Sequence, residues 1–184
     1  MNAAVTVFFL IIKVFSLYFL AVSLFGLCRR RTPEPAARLR RFAVLIAARN
    51  EESCIAGLIE SLRAQHYPPE LVDIWVLPNN CTDRTAEAAR RAGAQVLEMP
   101  ASVRSKGAAL HTAAKALLRS ARNYDAFCVF DADNEADPAF LSEMNRALDR
   151  TAIVKSRILA KNRTQAGISA CYEIYFCSAN HFLN

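Results

Sequence analysis

The sequence predicts an α/β domain, a mostly parallel sheet flanked by helices, preceded by one transmembrane helix. Three observations predict it. Residues 3–27 are almost continuously apolar and hold one charge, Lys13. From Phe42 onward, short apolar runs alternate with segments whose apolar residues recur at helical spacing, the pattern of a parallel sheet covered on both faces. The run Phe-Cys-Val-Phe-Asp-Ala-Asp-Asn-Glu-Ala-Asp at 127–137 then sets two carboxylates, Asp131 and Asp133, at the end of one apolar run.

About 20 apolar residues cross a bilayer as a helix, so residues 3–28 are read as a membrane span. A cleaved signal peptide would have a charged start, a shorter apolar core and an A-x-A-like cleavage site. The start here, Met1-Asn2-Ala3-Ala4, has no basic side chain. Lys13 must snorkel to the interface or face another helix. The formal charge of +6 is concentrated rather than spread. Residues 29–41 carry six Arg (Arg29, Arg30, Arg31, Arg38, Arg40, Arg41) against Glu34 alone, and from residue 42 onward acids and bases balance. A basic face for nucleic acid is thereby excluded. Residues 29–41, interrupted by Thr32-Pro33-Glu34-Pro35, are read as a basic juxtamembrane linker. Basic residues beside a span stay cytoplasmic, so the N-terminus is expected outside and residues 42–184 in the cytosol, at the cell (inner) membrane. The cluster is also placed to touch anionic headgroups.

The domain elements follow in order. Residues 42–47 form a first strand. Ile55, Leu58, Ile59 and Leu62 mark an amphipathic helix over 51–65, stopped by Tyr67-Pro68-Pro69. A second strand at 71–77 and a turn at 78–81 lead to an Ala-rich helix over 82–92, with Thr82 as N-cap and Gly93 as stop. A third strand spans 94–99, a helix 105–120, and the fourth strand 126–130. A helix over 138–149 begins at Pro138 with Asp137 as cap. A fifth strand is expected at 152–159, and 165–182 reads as helical or mixed. The six Cys show no metal-ligand spacing and suit small buried hydrophobes in a reducing compartment. The two glycosylation sequons, at Asn80 and Asn162, are accidental in a cytosolic domain. Trp75 is expected in the core, and His66, His111 and His181 are structural or surface residues. Arg49 reads equally as a loop residue of the site or a solvated charge.

Ligands of open α/β sheets bind beyond the carboxyl ends of the strands. Polar residues gather there: Arg49, Asn50, Glu51 and Glu52 after strand one; Asn79, Asn80, Thr82 and Asp83 after strand two; Arg104, Ser105, Lys106 and Gly107 before the third domain helix; Asp131, Asp133 and Asn134 after strand four. Mg²⁺ typically takes one or two carboxylates plus substrate phosphates. A metal-assisted nucleotide site is one reading of Asp131 and Asp133; a polar turn after a strand is the other.

Taken together, the segments Ile46-Ala47-Ala48-Arg49-Asn50-Glu51-Glu52, Gln65-His66-Tyr67-Pro68, Asn80-Cys81-Thr82-Asp83-Arg84-Thr85-Ala86, Lys106-Gly107-Ala108-Ala109-Leu110 and Phe130-Asp131-Ala132-Asp133-Asn134 resemble, in order and spacing, the nucleotide-binding half of a family 2 glycosyltransferase with the GT-A fold. The resemblance covers roughly residues 42–184. It implies that Ala48 and Glu51 line the nucleoside pocket, that Asn79 faces the base and that Lys106 approaches the donor phosphates. It also implies that Asp131 and Asp133 form the Asp-x-Asp pair, Asp133 binding Mg²⁺ or Mn²⁺ and Asp131 helping to hold the nucleotide sugar and metal. The sequence departs from the family at Asn79, where many members have Asp, and at Ser105, where Gly is usual. The acceptor half with its general base is expected to lie beyond Asn184, so no catalytic base is identified; Glu173 is not read as one.

The implied activity is a membrane-anchored, inverting, metal-dependent transfer of sugar from a nucleotide-sugar, a UDP-sugar, to a glycan or lipid acceptor. Two alternatives stand beside it. One is a non-catalytic, membrane-tethered nucleotide-binding fragment. The other is a sugar nucleotidyltransferase, whose Gly-rich phosphate loop is replaced here by Ala47-Ala48-Arg49-Asn50.

Overall fold

A computed structural model describes residues 3–26, 36–156 and 158. The chain divides into two units, Met1–Glu34 and Pro35–Asn184. The first holds helix α1, Ala3–Gly26, of 24 residues. Large apolar side chains on all sides of it, from Val5 to Leu20, are exposed. Side chains are described over 5–21, and counted on those residues no helix is long and apolar enough to cross a membrane. The expected transmembrane helix over 3–28 is thus met by a helix over part of its length and not by a demonstrated span.

In the second unit, strands β1 (Phe42–Ala48), β2 (Val72–Pro78), β3 (Gln95–Val96) and β4 (Ala126–Asp131) form a wholly parallel sheet in the order β3-β2-β1-β4. β1 pairs with β2 from Phe42 opposite Val72 to Ala48 opposite Pro78, and with β4 from Phe42 opposite Ala126 to Ala47 opposite Asp131. β1 is buried on both faces, which its unbroken apolar run requires. Val44, Ile46 and Ala48 meet Ile55, Leu58, Ile59 and Leu62 of helix α2 (Ile55–Arg63) and Ala88 and Ala89 of helix α3 (Thr85–Arg91). Ala43 and Leu45 meet Ala113 and Leu117 of helix α4 (Lys106–Leu118) on the other face. Trp75 packs in this second layer, and its Nε1 donates to the Tyr124 hydroxyl at 3.2 Å. At the lower edge, Phe42, Tyr67 and Leu141 of helix α5 (Phe140–Ala147) close a third cluster.

Several boundaries differ from the sequence reading. α2 starts at Ile55 rather than 51, because residues 51–54 form a loop tied to α3. α3 starts at Thr85, and Thr82 is not its N-cap: the Thr82 N–H donates to Asn50 Oδ1 at 2.8 Å. Gly93 does stop α3, with φ +91, the left-handed conformation that glycine tolerates. β3 has only two residues, against six expected. α5 starts at Phe140, after a turn in which Asp137 Oδ1 accepts from the Ala139 N–H at 2.8 Å. No strand forms at 152–156 or 158, so the fifth strand is absent among the described residues; 165–182 lies outside them.

The largest departure concerns the expected linker. Its end, 36–41, is bonded into the domain. The Asp149 carboxylate accepts from the Ala37 N–H at 2.8 Å and pairs with Arg40 at 2.8 Å. Arg40 also donates to the Asn145 carbonyl at 2.9 Å, and Asn145 Nδ2 donates to the Arg38 carbonyl at 2.8 Å. Tyr67 both receives the Arg40 N–H and donates to its carbonyl, each at 2.8 Å. Asp125 accepts from the Arg41 N–H at 2.8 Å and pairs with Arg38 at 3.0 Å. Arg41 lies 3.8 Å from Asp73, a buried carboxylate that also pairs with Arg122 and accepts from Tyr124. Residues 36–41 are therefore a strap across the amino ends of the strands.

Candidate active site

The sheet order places its switch point between β1 and β4: the chain runs outward through β2 and β3, then returns to the far side of β1. In open α/β sheets the loops that diverge at such a point flank the ligand site. The pair register ends at Ala47 opposite Asp131, so the loop after β1 and the Asp131 carboxylate lie side by side.

Asp131 is the last residue of β4 and its side chain is 60% exposed. Ala132 turns inward and is buried, and Asp133 is exposed again. The Asn134 N–H donates to the Asp131 carbonyl at 3.1 Å, which makes the turn tight and keeps both carboxylates on its outer side. Lys106, the first residue of α4, makes an ion pair with Asp131. α4 is capped by Ser105, whose Oγ accepts from the Ala108 N–H at 3.2 Å. The departure from glycine at 105 thus supplies a cap that aims the first turn of α4.

The loop after β1 is fixed by α3. Asn50 adopts φ 59, a conformation that Asn accepts more readily than most residues. The Glu51 N–H donates to Thr85 Oγ1 at 2.9 Å, and the Glu52 N–H to Asp83 Oδ2 at 3.1 Å. Glu52 in return accepts from the Arg84 N–H at 3.1 Å and pairs with its guanidinium at 2.9 Å. The Thr85 hydroxyl and the backbone N–H groups of Glu52 and Thr85 hold the Asp83 carboxyl below its ordinary value. The Cys54 thiol donates to Glu51 Oε2 at 3.0 Å. Burial, that bond and the charges of Glu51 and Asp133 push the Cys54 thiol up to about 11, so it stays protonated and Glu51 keeps its donor. The Asp133 charge acts in the same direction as that of Glu51, against the thiolate form of Cys54.

Ala48 is buried, and its carbonyl accepts from the Asn79 N–H at 2.9 Å and from the Cys81 thiol at 3.5 Å. Asn79 is buried, 6% exposed. The structure joins four of the six candidate residues in two contacts along one edge, Lys106 with Asp131 and Ala48 with Asn79, while Glu51 is held by Cys54 and Asp133 stands exposed two residues beyond Asp131. Asn50, Asn80 and Asp83, grouped at the strand ends by the sequence, prove to be the residues that fix these loops; the two that the sequence reading gives no part are Cys54 and Thr85. Asp83 two residues before Thr85 was the available signal for Thr85, and Cys54 had none. Arg49, His66 and His111 are exposed; His181 lies outside the described residues.

The donor set fits a hard divalent cation. Asp131 and Asp133 offer carboxylate oxygens, open to solvent, and among the described residues no group of three His, Cys, Asp or Glu side chains could hold a metal alone. Such a pair leaves coordination positions for phosphate and water. The cleft lined by Arg41, Glu70, Asp73 and Arg122 lies instead at the amino ends of the strands, where Asp73 pairs with both arginines.

The glycosyl transferase family 2 model matches residues 43–177, and the chain belongs to that family. Among curated proteins, the probable glycosyltransferase YdaM of Bacillus subtilis is 28% identical over 108 residues, 55% of this chain and 24% of that protein. The beta-monoglucosyldiacylglycerol synthase of a Nostoc species is 40% identical over 43 residues, 23% of this chain and 9% of that protein. Among solved structures, the Pyrobaculum calidifontis mannosyltransferase PcManGT, in complex with GDP-Man and Mn²⁺, superposes with a TM-score of 0.59 at 23% identity, over 73% of this chain and 40% of that one. The likeness shows a shared GT-A-like fold. The chain spans about a quarter of YdaM and two fifths of PcManGT.

Proposed function

We propose that this chain carries the donor-binding part of a membrane-anchored glycosyltransferase that moves a sugar from a nucleotide-sugar, a UDP-sugar, to a glycan or lipid acceptor. The observation that carries this reading is the Lys106–Asp131 pair beside Asp133 at the switch point of the sheet. A diphosphate needs positive charge and a metal-holding carboxylate within one small space, and this is where the chain provides both.

Asp133 and Asp131 would hold Mg²⁺ or Mn²⁺. When bound, the metal supplies Lewis-acid stabilisation of the charge that develops on a departing diphosphate. Lys106 changes partner from Asp131 to a phosphate oxygen and adds a point charge at the same place. Glu51, oriented by Cys54, and the Ala48 and Asn79 loop ends border the nucleoside. The acceptor hydroxyl attacks the anomeric carbon from the side opposite the diphosphate, which inverts that centre. A general base must lie within hydrogen-bond reach of that hydroxyl, and none of the described residues is assigned the part. Anchoring rests on α1: 24 residues rise about 36 Å, enough for the roughly 30 Å hydrocarbon core. Its exposed apolar side chains favour lipid, with the second unit cytoplasmic.

The test is calorimetric titration of UDP with and without Mn²⁺. Binding is expected to need the metal and to weaken at least about tenfold in Asp133→Ala. UDP binding that survives both chelation and the Asp131→Ala, Asp133→Ala double substitution would overturn the reading.

A further inference from the structure

Resting on that reading, we propose that Gln65 and Ser61 are positioning residues for the metal-holding Asp133, acting by fixing the register of residues 132–139 along α2. Of the five segments that carry the family likeness, Gln65-His66-Tyr67-Pro68 alone lies toward the amino ends of the strands, where Tyr67 packs on Phe42. After Asp133 the chain descends along α2 from the carboxyl edge to that same end. Ala132 and Ala136 are both buried in the layer that α2 forms with β1, and Asp133 stands exposed between them. Small side chains at these two places let the backbone lie close to the helix.

Ser61, in the last turn of α2, and Gln65, just past its end, stitch this descending segment to the helix. The Ser61 hydroxyl donates to the Leu58 carbonyl at 2.8 Å, which commits its proton and leaves the oxygen to accept from the Ala136 N–H at 3.0 Å. Gln65 uses both ends of its amide. Oε1 accepts from the Leu141 N–H at 2.9 Å, and Nε2 donates to the Asp137 carbonyl at 2.7 Å and to the Ser61 carbonyl at 3.2 Å. A backbone N–H on one side and backbone carbonyls on the other allow a single orientation of that amide. The His66 N–H adds a bond to the Pro138 carbonyl at 2.8 Å. The turn that presents Asp133 is thus held by β4 at one end and by these bonds at the other. A slip of one residue along α2 would carry Asp133 by about 3.5 Å. A small hard cation demands carboxylate oxygens at about 2.0–2.1 Å in near-ideal geometry, so it does not follow such a slip. Groups that orient a metal ligand without touching the metal govern its affinity for that reason.

The experiment titrates Mn²⁺ into the full chain in detergent at fixed UDP and reads the Mn²⁺ concentration that gives half-maximal nucleotide binding. Gln65→Leu is expected to raise that concentration about five- to tenfold, the scale of one or two hydrogen bonds, and to change UDP affinity at saturating Mn²⁺ by less than about twofold. Ser61→Ala is expected to raise it about threefold, and Ser61→Thr, which keeps the oxygen, to stay near the wild type. Gln65→Glu keeps the acceptor for Leu141 but sets an oxygen against the Asp137 carbonyl, so it is expected to match Gln65→Leu. Amide exchange in the metal-free protein reads the same bonds directly: Leu141 is expected to exchange faster in Gln65→Leu, and Ala136 in Ser61→Ala, with the β1 amides unchanged. A Mn²⁺ requirement unmoved in Gln65→Leu and Ser61→Ala, or a loss of UDP affinity that saturating Mn²⁺ does not recover, overturns the inference and leaves the donor site standing. If Gln65→Leu does not fold, Ser61→Ala against Ser61→Thr decides by the same criterion. Wild-type UDP binding indifferent to Mn²⁺ overturns the inference and the donor-site reading together.

Discussion

Lys106 pairs with Asp131 at the carboxyl edge, and the two neutralise each other until a phosphate competes. Lys106→Ala is expected to weaken UDP binding by about tenfold, and Lys106→Arg to restore part of it, because either cation serves as a phosphate partner although their geometries differ. Cys54 has a quieter part. Cys54→Ala removes the donor to Glu51 and is expected to lower nucleotide affinity by about three- to tenfold, the size of one weak hydrogen bond, while Cys54→Ser largely recovers it. Calorimetry reads the affinity, and an unchanged melting temperature in Cys54→Ala separates orientation from folding. At this scale the sequence was informative about acids and bases that sit at strand ends, since the strand period alone places them. It was silent about Cys54, whose importance comes from a three-residue loop geometry that no periodicity encodes.

Among the elements, β1 was the most legible. An apolar run without alternation has to be buried on both faces, and it is. α2 and α3 were placed correctly but begun too early, because helix-forming residues at 51–54 and 82–84 are recruited instead into the loop-to-loop hydrogen bonds that shape the site. The fifth strand failed because Ile153 and Val154 have strand propensity but find no partner strand among the described residues; Ile153 is 89% exposed. The strap at 36–41 reads as linker in the sequence because arginine clusters resemble solvated tails, and its aspartate partners Asp73, Asp125 and Asp149 are brought to it only by the fold. Those partners make the strap sensitive to acid. The Arg41 N–H, with Arg38, holds the Asp125 carboxyl below its ordinary value, and the Ala37 N–H, with Arg40, does the same for Asp149. The folded form thus takes up these protons less readily than the unfolded one. Their contribution is complete above the ordinary carboxylate value and is lost as pH falls through the lower folded one. Amide exchange at Ala37 and Arg41 is expected to stay slow at neutral pH and to accelerate below about pH 4. Asp149→Ala should bring the Ala37 acceleration to neutral pH.

For the whole molecule, function is divided between the two ends of the strands. The carboxyl edge carries the exposed, exchangeable charges of the donor site, and the amino edge carries charges already matched by the strap. Fold class followed from alternation and the family from five ordered segments, so both were legible without coordinates. What was not legible was which charges are available to ligands, since that depends on pairing through space. Vesicle flotation tests the anchor: the full chain is expected to float with liposomes, and a form lacking residues 3–26 to remain in the bottom fraction.

The strap also changes what salt should do to that flotation. Each basic residue free to meet an anionic leaflet adds about 1 kcal/mol of attraction. Arg38, Arg40 and Arg41 already face aspartates, so three of the six arginines in the cluster have little charge left for phosphatidylserine. Adding that lipid to neutral vesicles should therefore strengthen association by about half of what a count of arginines suggests.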